Sequence, residues 1–159
     1  MWFKKKPEPR PSFPIGGYSL NMTLREGAPL RELSPAEYEV MGRQFVGETI
    51  YHAPAVEFVG KQWKLTLGAV RGRLYKIAPF LELRNKNEAN EAAFAALAFC
   101  NEQLGKPAEQ RSGLFAWDTT DGNVILQTAE ARDGFAVNLF LTARSVREFQ
   151  RLDDPASTG

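Results

Sequence analysis

Residues 56–77 read VEFVGKQWKLTLGAVRGRLYKI. Apolar and polar side chains alternate around two Gly-containing breaks, the pattern of half-buried antiparallel strands joined by tight turns. Gly60-Lys61 suits a two-residue hairpin turn with Gly first, which pairs Phe58 with Trp63, Glu57 with Lys64 and Val56 with Leu65. At the second break, a two-residue Arg71-Gly72 loop would set Leu67 opposite Lys76. A three-residue loop, Val70-Arg71-Gly72, instead pairs Leu67 with Tyr75, Leu65 with Ile77 and Thr66 with Lys76. The second register keeps one face apolar and is the one expected, with Gly72 in the left-handed conformation. The core face then holds Val56, Phe58, Trp63, Leu65, Leu67, Tyr75 and Ile77. The outer, solvated face holds Ala55, Glu57, Lys64, Thr66, Lys76 and Ala78. Pro79 is expected to end the ladder or mark an edge.

Downstream, Asn85-Lys86-Asn87-Glu88 is a variant capping box that opens a helix. Its apolar stripe is Ala89, Ala93, Leu97, Cys100 and Leu104, and it stops at Gly105 with Pro107 beyond. A second meander follows, with Asp121-Gly122 and Asp133-Gly134 as type I′ turn signals. Counting outward aligns Trp117, Leu126 and Leu141 in one row, Phe115, Thr128 and Leu139 in the next, and Thr119, Val124 and Ala143 in a third. The opposite face carries Leu114, Ala116, Ile125, Ala129, Asn138 and Phe140, which is more apolar than a solvated face should be. The N-terminal arm, Val146 with Phe149 and Leu152, or another subunit would cover it. Ser145-Val146-Arg147-Glu148 predicts a short closing helix.

Upstream, Tyr18, Leu20, Met22 and Leu24 alternate with polar residues, which predicts a strand. Ser34-Pro35-Ala36-Glu37 is a capping box with Pro at the first helical position, flanked by Leu33 and Tyr38 as a staple. It predicts a helix of two or three turns ending near Arg43. The class is therefore α+β: two antiparallel three-stranded meanders, either separate or joined in one sheet, with a long helix between them, a short N-terminal strand and helix, a short C-terminal helix, and the helices on one face. The organisation expected is a Pro-rich basic arm over 1–16, one domain over 17–152 and a tail over 153–159. The offset between capping boxes also suggests a helix-plus-meander unit used twice.

A chain of 159 residues suits one domain, burying roughly 70% of its unfolded surface. Residues 1–86 carry 14 Lys/Arg against 8 acids, +6, and residues 87–159 carry 6 against 11, −5, so the net +1 hides an asymmetry. Two differently solvated faces of one domain are the expected meaning of such asymmetry, ahead of a device that orients partners or promotes self-association. One Cys and one His exclude a disulfide framework and a Cys/His zinc site. The longest apolar run, Ala92 to Cys100, falls short of the ~20 residues of a membrane span. Prolines 7, 9, 11 and 14 follow Lys4-Lys5-Lys6 where a secretory signal would be apolar, so a cytoplasmic protein is expected.

Chemistry-bearing motifs are few. His52 is the sole histidine and, standing before Ala53-Pro54, is expected to be structural; the alternative is a general base oriented by Glu48, which shares its strand face without an assured contact. Cys100 lies on the helix stripe and reads as a small buried hydrophobe. Asp118, Asp121, Gly122 and Asn123 invite a calcium-loop reading, but Ala129 stands where an EF-hand needs Glu, and a tight hairpin explains the Asp-Gly. No P-loop, GxGxxG, GxSxG or HExxH occurs. Lys61, Lys64, Arg71, Arg73, Lys76, Arg84 and Lys86 gather on the first meander, yet its aromatics point to the core, so a solvated face is expected before a phosphate track.

Leu97, Asn101 and the run from Gly113 through Trp117 and Asp121-Gly122 to Leu126 resemble type III secretion chaperones, small cytoplasmic α+β dimers. The resemblance covers less than half the chain and its motifs are those of any hairpin. The chain also has an additional strand and lacks the acidic balance of that family, so no residue is carried over.

The leading expectation is a non-catalytic interaction module, adaptor- or chaperone-like, that binds a protein or itself through Trp2, Phe3, Ile125, Phe140 and Phe149. The alternative is a small-molecule binder or hydrolytic enzyme with a pocket formed by Glu48, Tyr51 and His52. A third reading is nucleic-acid or membrane-surface binding through the basic N-terminal half. No metal and no cofactor is expected.

Overall fold

The computed structural model describes residues 8–154. The strands are β1 (Arg31–Glu32), β2 (Glu48–Phe58), β3 (Lys61–Val70), β4 (Arg73–Leu83), β5 (Glu109–Arg111), β6 (Leu114–Thr119), β7 (Gly122–Ala131) and β8 (Gly134–Ala143). The helices are α1 (Pro35–Met41) and α2 (Lys86–Leu104), and a 3-10 stretch spans Arg144–Glu148. All strands pair antiparallel in one sheet, in the order β1-β2-β3-β4-β8-β7-β6-β5. The two meanders are thus halves of a single eight-stranded sheet, joined where β4 pairs with β8. Each meander alone would leave the backbone groups of its last strand unpaired, and this pairing satisfies both edges at once.

The hairpins turn one residue earlier than the Gly signals imply. Phe58 pairs with Lys61, Thr119 with Gly122 and Ala131 with Gly134, so the central residues are Val59-Gly60, Thr120-Asp121 and Arg132-Asp133. Trp117 therefore faces Val124 and Leu141, and Phe115 faces Leu126 and Leu139, in place of the expected rows. Moving a turn by one residue shifts the register by two, and with a side-chain period of two every residue keeps its face. That is why the expected core faces hold although the expected pairs do not, with Tyr75 the exception: expected on the core face, it stands on the opposite one. At the second break the two-residue Arg71-Gly72 turn forms, both residues at positive φ (53° and 80°). A bulge after Leu74 then carries Tyr75 as the extra residue, and Leu67 comes to pair with Ile77.

A further bulge, at Pro54-Ala55 of β2, matters more. Val56 pairs with Trp63, but Ala53 pairs with Leu65, so two residues oppose Lys64 alone. The bulge reverses the alternation. It turns Glu48, Ile50 and His52 to the same face as Thr66 and Gly68, and Tyr51 and Ala53 to the core. Pro54, which has no N–H to give a ladder, suits a bulge. Pro79 does not end its strand: β4 runs on to Leu83, and the β4–β8 ladder passes over Ala78 and Pro79 where the donor is missing.

One face of the sheet packs on α2, which buries Ala89, Ala92, Ala96, Cys100 and Leu104; Ala93 and Leu97 lie at the flank of the stripe. Small side chains let the helix sit close to Val137, Leu139 and Leu141, all fully buried. The remainder of this face is covered by the N-terminal segment. Phe13 and Ile15 are buried, and Phe13 stacks edge-on with Phe99 at 4.9 Å, so this part of the Pro-rich arm packs on the α2 side and not on the opposite face of the second meander. In place of the expected strand over 18–25, the chain turns at Leu20-Asn21, with Gly17 and Asn21 at positive φ, and makes an isolated antiparallel bridge, Thr23 with Arg73. Leu20, Met22 and Leu24 still pack on the core. The closing helix is the 3-10 stretch, without a side-chain cap: Ser145 Oγ meets Asn21 Oδ1, and the chain leaves the helix so that Phe149 can pack between Phe45 and Tyr75. No helix among the described residues is long and apolar enough to cross a membrane.

A candidate ligand site on the open face

The capping box at Ser34 forms as expected, and its glutamate has further partners. Glu37 Oε1 accepts from Ser34 N at 3.0 Å and from Arg31 Nη1 at 2.9 Å, while Oε2 meets His52 Nε2 at 2.7 Å. Arg31 pairs with His52 across β1 and β2, which brings both to this carboxylate. The Arg31 guanidinium first, then the Ser34 amide and His52, hold the Glu37 carboxyl well below the usual carboxylate range. Glu37, not Glu48, is thus the group that orients His52. The two candidates share the open face of β2, but four residues of strand separate their α-carbons by roughly 13 Å.

Glu48 closes the loop after α1. Its Oε1 accepts from Gln44 N at 2.6 Å and Phe45 N at 3.2 Å, and its Oε2 from the Tyr75 hydroxyl. Only 4% of it is exposed, and no cation pairs with it among the described residues. Three donors offset the penalty of burying the charge. Burial first, and then the bond to Glu48, push the Tyr75 phenol far above its ordinary range. The Tyr75 ring lies over Gly68, where a Cβ would come within 2.9 Å of Cε1, and packs edge-on against Phe45 and Phe149. The Tyr75 bulge is what lets the ring and the next residue, Lys76, both reach this side of the sheet.

Between this aromatic plug and α1 lies a cavity of about 360 Å³. Thr66, Gly68, Ala78 and Ala136 form a floor of small residues, Met41, Ile50 and His52 one wall, and Phe80, Asn138 and Phe140 the other. Met41 and Gly42 at the end of α1 border it, so α1 sits on the face opposite α2 and the helices do not share one face. Lys76 is half-buried in the cavity, its Nζ 5.2 Å from the centroid of the Phe140 ring. Burial lowers its pKa, partly opposed by the Glu48 charge.

Of the sequence-predicted residues, Glu48 and His52 line the cavity, whereas Tyr51 packs on the core side of the sheet. Phe140 lines it as well, and Ile125 is half-buried on the same face further along, beside Leu114 and Val146. Phe149 is packed against Phe45 and Tyr75. Trp2 and Phe3 lie outside the described residues. Cys100 is fully buried, its thiol pushed up to about 12 by burial. Both oxygens of Asp121 are taken up, by Ser12 and Thr119, tying the N-terminal segment to the hairpin. Of the basic residues on the first meander, Lys64 pairs with Glu82, Arg73 donates to Asn21 O, and Lys76 faces the cavity.

Lys76, Tyr75, Phe80 and Asn138 are the site residues that sequence reasoning missed. Asn138 and Phe140 already stood on an unusually apolar face, and the signal that could have extended it to β2 is Pro54 inside an otherwise strand-like run. Comparison with known protein families, with curated proteins and with solved structures found no match for the chain.

Proposed function

We propose that this protein binds a small molecule in the open-face cavity and carries out no chemistry on it. The observation that carries this reading is the cavity itself: about 360 Å³, floored by small side chains, walled by aromatic and aliphatic ones, with a few polar groups converging on it. Binding sites for small ligands have this composition. A hydrolytic role finds less support, because Glu48 is engaged by its loop amides and Tyr75, and His52 by Glu37. The test is 1-anilinonaphthalene-8-sulfonate fluorescence on the native full-length chain. Saturable, blue-shifted emission at one site per chain is expected, and Ala136→Trp, which fills the cavity from β8, should abolish it while the chain keeps its far-ultraviolet circular dichroism. Emission that persists in that folded variant would refute the reading.

A second reading is self-association through the apolar part of the same face, around Leu114, Ile125, Phe140 and Val146. It predicts a concentration-dependent dimer in sedimentation velocity that Ile125→Glu abolishes.

A further inference from the structure

Among the charges around the cavity, all but one are matched. Glu48 accepts three hydrogen bonds; His52 meets Glu37, whose other oxygen holds Arg31; Glu82 pairs with Lys64 at 3.5 Å. Of the charged groups that line the cavity, Lys76 alone makes no ion pair and donates no hydrogen bond; it is half-buried with its ammonium over Phe140, and the Glu48 carboxylate, already held by three donors, acts on it only through space. Resting on the reading of the cavity as a ligand site, we propose that its ligand is a monoanionic amphiphile: one carboxylate, held by the Lys76 ammonium, on a single apolar chain or ring.

The surroundings fit each part of such a molecule. A partly desolvated ammonium with no anion in contact is unfavourable, and a ligand carboxylate would supply the charge-assisted bond that Glu48, taken up by its own donors, does not make. The Thr66 hydroxyl and the Asn138 amide stand on the strands either side of β4, as neutral donors for a second carboxylate oxygen. Ile50, Ala78, Phe80 and Ala136 offer the apolar surface for the chain or ring. A cationic ligand would need a free carboxylate, and Glu48 and Glu82 are both engaged. A multiply charged anion such as a phosphate monoester would need more than one free cation, and Lys76 is the one the cavity offers, since His52 is taken by Glu37.

Three probes with the same ten-carbon chain separate these cases: decanoate, decan-1-ol and decylamine, titrated calorimetrically into the full-length protein. Wild type should bind decanoate about ten-fold more tightly than decan-1-ol. Lys76→Met and Lys76→Gln should erase that preference and leave decan-1-ol affinity within about two-fold, and Lys76→Arg should keep it. Equal affinities for decanoate and decan-1-ol in wild type, or a preference for decylamine, would overturn the anion assignment and leave the cavity as a binding site. If none of the three binds, the fluorescent probe decides. Its binding in the cavity would overturn only the amphiphile class; its failure to bind would overturn the cavity reading as well.

Discussion

Tyr75 carries more of the candidate site than any other side chain. Its ring covers Gly68, its edges meet Phe45 and Phe149, and its hydroxyl is one of the three donors that let Glu48 be buried. Removing that hydroxyl leaves a buried carboxylate oxygen short of a donor, so Tyr75→Phe should destabilise the fold by about 1–3 kcal/mol in urea denaturation. Glu48→Gln should then lessen the cost of Tyr75→Phe, because the two act through one bond; additive losses in the double-mutant cycle would show that the contact contributes nothing. At this scale the sequence was partly informative. Glu48 and His52 stood out as candidates for their chemistry, but nothing in the order of residues says that Glu37, fifteen positions away, takes His52.

Turns and bulges set what each strand presents. The Arg71-Gly72 turn places both residues at positive φ, a conformation that Asn adopts more readily than Arg. Arg71→Asn should raise stability by about 0.5–1 kcal/mol, read as a higher urea midpoint with an unchanged slope. A lower midpoint would mean that the packing of the Arg71 side chain, which runs beside Gly47, outweighs the turn preference. The sequence located the four hairpins of the two meanders and, apart from Tyr75, the residues that face the core. It misplaced three turns by one residue, which the two-residue period forgives. The bulges are different: a single extra residue inverts a face. Pro54-Ala55 and Tyr75 are the two places where alternation misleads, and together they bring Glu48, Ile50, His52 and Tyr75 to the open face, where Lys76 was expected.

In the molecule as a whole, the basic and acidic halves of the chain become two sides of one sheet, meeting at the β4–β8 pair. The N-terminal segment is fastened across this assembly by Ser12 on Asp121 and by Thr120 N on Arg10 O. Partial burial raises the Asp121 pKa, but the bonds from Ser12 and Thr119 outweigh it, and the net shift is downward. Glu37 is likewise lowered, chiefly by Arg31. A carboxyl whose pKa is lower folded than unfolded stabilises the fold above its unfolded value, about 4, and that contribution is lost as pH falls through the folded value. The urea midpoint should therefore hold near neutrality and fall below about pH 4. Asp121→Asn should lower it at pH 7 and flatten the acid slope. An identical slope in wild type and variant would show that Asp121 has no part in the acid transition.

By itself the sequence determined the α+β class, the span and caps of the long helix, the capping box of α1 and the division of each meander into a core face and an opposite face. These follow from periodicity and from residues acting on their nearest neighbours. Only the tertiary structure decided that β4 and β8 make one sheet, that residues 12–24 help cover it, that α1 and α2 lie on opposite faces, and that a cavity opens beside Lys76. Each of these depends on contacts between residues far apart in the chain, and on bulges whose one-residue shifts leave little mark on local composition.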